Sequence, residues 1–374
     1  MALLRSSNAP AVVVFVDLGT MVSFDQLASS LRHRGVEVVH LTVADNLLAR
    51  LASRVIYHRT ARYSTTAELL AALQGVDTAR VVDIQCPEFL LDDVVAAARL
   101  SGVPRAVLTE LEHRFAWRDK FLVARRLAAA AIPVPGMETL EDTGEQQVLE
   151  RLGLPLVVKD RVGSGGEGVR IVRSAERFTP AREELGGPTA HLYAEEFLAG
   201  ETLCFATAIV DGHAATPVVY RTRQGREAEG ASTVIEVVED EQVRELGCRV
   251  AELVGGSGLL NLDLVRGEDG SPRVVDVNLR AWHSVVALGQ LGHDYVGDYL
   301  RGLGVAPGAQ PAHHTRTGQI SVFPDFTDLD PGQDVGTAVR LFAAGLLRNR
   351  RLLPPRYLAL QVVLFARRLA ARRG

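Results

Sequence analysis

Lysine is nearly missing from this chain. Its 374 residues hold only Lys120 and Lys159, against thirty-nine arginines. Positive charge that merely solvates a surface is therefore supplied by Arg. Each retained lysine is a candidate for a place where a compact ammonium works and a wide guanidinium does not. A narrow cleft filled with phosphate oxygens is one such setting. Cysteine is also scarce: Cys86, Cys204 and Cys248 lie far apart, without metal-ligand spacing. That argues against a disulfide framework and fits a reducing compartment, the cytoplasm. No apolar run reaches transmembrane length. The run Ala11–Val16 is ended at once by Asp17, so it reads as a first strand rather than a signal peptide. A net charge of −4 leaves no basic field to attract nucleic acid. No G-x-G-x-x-G follows the first strand, and no Gly-Lys-Ser/Thr closes a Walker loop, so neither phosphate motif is present.

What is there begins with alternation. Val-rich runs at Ala11–Asp17, Val36–Thr42, Arg80–Gln85 and Arg105–Thr109 are separated by helical patterns at Phe24–Arg34, Thr66–Leu73 and Leu91–Ser101. Strand and helix in turn predict βαβ units on a parallel sheet. Asp119–Ala131 predicts a helix, stopped by Pro133 and Pro135. The chain is long enough for two to three domains.

Leu154–Lys159 predicts a short buried strand leading into the loop Gly163–Gly168, with a second strand at Val169–Val172. The loop carries little side-chain bulk, so its N–H groups can approach an anion. Taken alone, such a loop is more often just a turn. Leu260–Val265 and Arg273–Leu279 predict a hairpin across a Gly/Asp/Pro turn. Side chains alternate along a strand, so Asp276, Asn278 and Arg280 share one face, as do Asn261 and Asp263 on the partner strand. Pairing then brings Asp263 beside Asp276 and Asn278. Such oxygen clusters suit Mg²⁺; they also occur on solvated outer faces.

In order along the chain stand Asp119-Lys120, Val158-Lys159 with the Gly163–Val169 loop, Glu195-Glu196-Phe197-Leu198 with Gly200-Glu201, Asp263, and Asp276-Val277-Asn278-Leu279-Arg280. Each motif is loose, but five in register over residues 110 to 325 resemble the ATP-grasp superfamily. The resemblance implies an α/β and α+β chain. A Rossmann-like parallel-sheet domain would span 1–110, the ATP-grasp small lobe 111–190 and its large lobe 191–325, followed by a helical basic extension at 326–374. It implies that Lys120 and Lys159 meet ATP. Ser164, Gly165, Gly166 and Gly168 would form a lid over the phosphates. Glu195, Glu196, Phe197 and Leu198 would hold adenine, and Glu201 the ribose. Asp263, Asp276 and Asn278 would hold two Mg²⁺, for which Mn²⁺ can substitute. Arg280 and Asn278 would serve catalysis at the transferred phosphate. Two departures stand out: Asp160 where many members have proline, and Asp263 where glutamate is common. Neither removes a charge the chemistry needs.

The implied reaction activates a carboxylate as an acyl phosphate and passes it to an amine, both small molecules. The alternatives are bicarbonate activation of the biotin-carboxylase kind, or ATP binding by a non-catalytic regulatory protein. Arg221 and Arg223 are candidates for a substrate carboxylate, or else a solvated basic loop. His283 is a candidate base or a structural histidine. After Asp334 there are nine arginines and no acid. That tail predicts helix that either docks on its own domain or meets a membrane or a protein partner. The sequence leaves the oligomeric state open, a homodimer among the options.

Overall fold

The computed structural model describes residues 9–19, 21–43, 47–141, 143–163, 166, 168–187, 190–225, 232–282, 284–306, 317–321, 335–350 and 354–371. Four parallel strands open the chain: β1 (Val12–Asp17), β2 (Glu37–Thr42), β3 (Arg59–Arg62) and β4 (Val81–Gln85). Their order is β3-β2-β1-β4. Strand β1 is apolar on both faces because both are covered. Val13 and Phe15 enter one core, and Val12, Val14 and Val16 another. Continuous apolar runs of this kind mark central strands of a parallel sheet.

One expectation fails here, and one strand was not foreseen. Arg105–Thr109 is not a strand but the start of a helix, Arg105–Ala116. Its Val107 and Leu111 are buried four residues apart, the spacing of one helical face, and this overrides the short Val/Leu run. The remaining strand is β3, whose mostly exposed Arg-Thr-Ala-Arg sequence gives no apolar signal. As an edge strand it needs none.

A second sheet is antiparallel, ordered β5-β8-β6-β7: β5 (Met137–Thr139), β6 (Leu156–Asp160), β7 (Val169–Val172) and β8 (Leu192–Glu196). Leu156, Val158, Leu192 and Ala194 face a core closed by the helices Glu145–Leu152 and Phe178–Glu184. The third sheet has seven strands: β9 (Gly200–Val210), β10 (His213–Ala214), β11 (Val218–Gly225), β12 (Ser232–Val238), β13 (Gly258–Gly267), β14 (Pro272–Asn278) and β15 (Gly318–Ser321). Strand β13 lies between β9 and β14, antiparallel to both. Leu260, Leu262 and Leu264 meet the helices Lys120–Ala129 and Glu241–Val254 across one face.

The C-terminal region is helical at Val335–Asn349 and Pro355–Ala371. Tyr357, Gln361 and Phe365 turn one face of the last helix inward, and Tyr357 and Phe365 join the core of the first sheet. The Tyr357 hydroxyl donates to buried Asp25 at 2.7 Å. The tail therefore docks on its own chain by one face. No helix among the described residues is long and apolar enough to cross a membrane.

Candidate active site

Each charged group of the site is set by local structure. Asp119 caps the helix that begins at Lys120, accepting from Leu122 N at 3.0 Å. The Arg161 fork grips the same carboxylate at 2.6 and 2.9 Å, and Lys120 N donates to Arg161 O. This fixes Lys120 at the first turn, where its Nζ reaches Asp276 Oδ1 at 2.5 Å. Lys159 sits on β6 on the face opposite the core, diagonal to Glu195 on β8. Its Nζ lies 2.5 Å from Glu195 Oε1 and 3.2 Å from the carbonyl of Val275.

Hairpin pairing sets Asp263 opposite Asp276 and Asn261 opposite Asn278. The register slips after Asp263, so that Leu264 pairs with Val274. The resulting bulge breaks the strict alternation expected from sequence. Val274 is in the core, whereas Val275 lines a cleft with Lys120, Met137, Glu195 and Asp276. Bulges re-aim side chains and are common beside active sites. This one turns the Val275 carbonyl toward Lys159.

Arg280 is almost buried. Its Nε donates to Glu88 Oε2 at 2.8 Å, one Nη to Asn278 Oδ1 at 3.2 Å and the other to Ala281 O at 3.1 Å. Glu88 follows β4, so the first sheet contributes directly to the site. The sequence reading missed it. A glutamate just beyond the carboxyl end of a parallel strand was the available signal, because such sheets bind ligands there. A polar chain behind Asp263 was missed too. Cys204 Sγ donates to Asp263 Oδ1 at 3.3 Å, and Tyr220 OH donates to Asn261 Oδ1 at 2.7 Å. Ser284 Oγ contacts Tyr220 and accepts from Trp282 Nε1 at 3.0 Å.

The electrostatics are those of opposed charges out of water. Burial acts to raise the Asp276 carboxyl, but the Lys120 and Lys159 ammoniums outweigh it and hold it below the usual range. Burial, then the Asp276 charge, pushes Asp263 up. Burial likewise raises Glu195 in spite of Lys159. Lys120 is held above the ordinary range because Asp276 more than offsets its desolvation. The pair Asp263–Asp276 is thus under-neutralised on the Asp263 side. Its donors, with the Asn278 amide, are all hard oxygens, which fits a divalent cation of the Mg²⁺ type.

Other predicted residues fall as follows. Gly166 has φ +79° and Gly168 closes the β6–β7 hairpin, its carbonyl accepting from Asp160 N. A Cβ at Gly168 would come within 2.9 Å of Asp160 Cβ. Ser164, Gly165 and His283 lie outside the described residues, as does the side chain of Arg223. Glu196 is tied to Arg273 at 3.2 Å and Phe197 lies under Arg173, at the link between the second and third sheets, with Leu198 next in the chain. Glu201 pairs with Arg221 at 2.8 Å, and Arg221 also pairs with Glu236 at 2.8 Å. Two carboxylates thus already bracket the Arg221 guanidinium, which weakens its candidacy as a substrate anchor.

The N5-carboxyaminoimidazole ribonucleotide synthase of Mycobacterium tuberculosis is 27% identical over 299 residues, covering 76% of this chain and 67% of its own. Among solved structures, carboxyaminoimidazole ribonucleotide synthase from Aspergillus clavatus complexed with ATP superposes with a TM-score of 0.65 at 19% identity, covering 82% of this chain and 80% of that one. The L-amino acid ligase from Bacillus licheniformis gives 0.62 at 16% identity, covering 85% and 81%. At those identities the structures establish the fold alone. The model of the ATP-grasp domain matches residues 117–284, the stretch that carries both lysines, the paired aspartates and Arg280.

Proposed function

We propose that this protein is an ATP-dependent ligase that activates a small carboxylate as an acyl phosphate and transfers it to an amine, releasing ADP and phosphate. The observation that carries the reading is the convergence of Lys120, Lys159 and Arg280 on the end of β14, where Asp276 faces Asp263. Triphosphate and carboxylate repel each other. Fixed cations that bring them together and neutralise the transferring group are the main requirement of the reaction.

In this reading residues 111–190 and 191–325 are the two lobes around ATP. Glu195, Glu196, Phe197 and Leu198 hold the adenine edge, Glu201 the ribose, and the hairpin loop with Gly166 and Gly168 covers the phosphates. Lys120 and Lys159 bind phosphate oxygens, and Arg280 orients the group in transfer. Asp263, Asp276 and Asn278 would hold Mg²⁺, whose chemistry is to neutralise phosphate charge. The three free cysteines accord with a cytoplasmic setting.

The test is ADP release with pooled amino acids and other small acids, read with mass spectrometry of the product. Asp276→Ala and Asn278→Ala should each lower turnover by about 10²–10³ while the fold persists. Near-normal ADP release from either variant would remove the assignment. A second reading takes bicarbonate as the activated acid, favoured by the carboxyamino product in the name of the 27%-identical relative. Bicarbonate-dependent ADP release in the absence of any other acid would select it.

A further inference from the structure

The two C-terminal helices each carry a second apolar face that points outward. On Val335–Asn349, Phe342 is buried while Val339, Ala343 and Leu347 are exposed, Leu347 at 62%. On Pro355–Ala371, Tyr357, Gln361 and Phe365 point inward. Ala359, Val362, Val363 and Ala366 point outward, with Val363 48% exposed. Arg356 and Arg367 are exposed at the two ends of that outer stripe. A helix apolar on both sides is suited to contact on both sides.

Charge selects the occupant. From residue 335 onward the chain has nine arginines and no Asp or Glu. A second copy placed face to face would bring two such cationic segments together, which like-charge repulsion opposes. A protein partner fits poorly as well. Interface cores favour aromatic anchors, yet Phe342, Tyr357 and Phe365 all turn inward and the outer stripe is Ala, Val and Leu. Small aliphatic side chains between arginines suit the boundary of a bilayer. The apolar groups enter the acyl region, and the guanidinium heads stay level with anionic headgroups. We infer that the outer face of the helices Val335–Asn349 and Pro355–Ala371 is a peripheral docking surface for an anionic lipid membrane.

This inference is independent of the ligase reading, because the stripe lies outside the matched ATP-grasp segment. Full-length protein should co-sediment with vesicles of equal parts phosphatidylcholine and phosphatidylglycerol, and not with phosphatidylcholine alone. Raising salt should release it, since exposed charges are screened over about a Debye length of 10 Å at 0.1 M. A Leu347→Ser/Val363→Ser variant should bind roughly tenfold more weakly or worse, because two apolar groups leave the acyl region. Both positions are exposed, so its melting temperature and lipid-free ADP release should stay at the wild-type values. Failure to sediment with anionic vesicles, or equal binding to neutral ones, would overturn the inference. A concentration-dependent dimer abolished by Leu347→Ser would assign the face to a second copy instead. Retention on immobilised polyglutamate without vesicle binding would assign it to an acidic protein.

Discussion

Lys159 shows how a single residue type can be forced by its surroundings. It is nine-tenths buried, and its ammonium is wedged between the Glu195 carboxylate and the Val275 carbonyl. A guanidinium there would be longer, planar and unable to rotate its donors independently. Lys159→Arg should therefore reduce ATP turnover by about 10²–10³, close to the loss from Lys159→Ala, although the charge is kept. Full activity in the arginine variant, measured by ADP release, would show that charge alone suffices. The two lysines could be picked out from the sequence because nothing else dilutes them among thirty-nine arginines. Their partners could not. Asp276 is 156 residues from Lys120, and Glu88 is 192 from Arg280. No local pattern encodes such a pairing.

Elements with a clean period were readable, and elements without one were not. The β13–β14 hairpin announces itself by alternating Leu and polar residues, and the pairing of Asp263 with Asp276 follows from that period. The bulge at Val275 does not, because it depends on how β14 twists to meet β13 and the small sheet. The helix Arg105–Ala116 was hidden for a related reason: five residues of it fit a strand as well as a helix, and only Leu111 in the following turn decides. Close packing of elements leaves its own test. A Cβ on Gly247 of the helix Glu241–Val254 would fall 2.2 Å from the Phe205 ring on β9. Gly247→Ala improves helix propensity, yet overpacking typically costs 1–3 kcal/mol, against about 1 kcal/mol gained. The net effect should be a lower midpoint in urea unfolding. A raised midpoint would mean that helix and strand can separate without loss.

At the scale of the whole molecule, the chain closes on itself at Asp25. This carboxylate lies under the first sheet and accepts from Tyr57 at 3.0 Å and from Tyr357 of the last helix at 2.7 Å. Burial, only partly offset by the Tyr357 hydrogen bond, raises it from 3.8 to about 6. Between those two values the folded protein holds a proton that the unfolded chain has released. Stability from this group is therefore greatest below pH 3.8 and declines as pH rises to about 6, above which the full penalty stands. At one unit per 1.36 kcal/mol the swing is roughly 3 kcal/mol. Asp25→Asn should flatten that segment of the stability profile, seen as a smaller fall in urea midpoint from pH 4 to pH 6 than in the wild type. An unchanged slope would place the titration elsewhere.

The order of the motifs, the scarcity of lysine, the parallel first sheet and the alternation that pairs the hairpin carboxylates all rest on neighbours in sequence. Periods of two and of 3.6 are properties of the backbone, so they are written where they act. The Glu88 contact to Arg280, the turned carbonyl of Val275 and the inward face of the last helix rest on which cores form and how they share residues. Those outcomes sum many distant burial and charge contributions at once, and they exist only once the chain has packed.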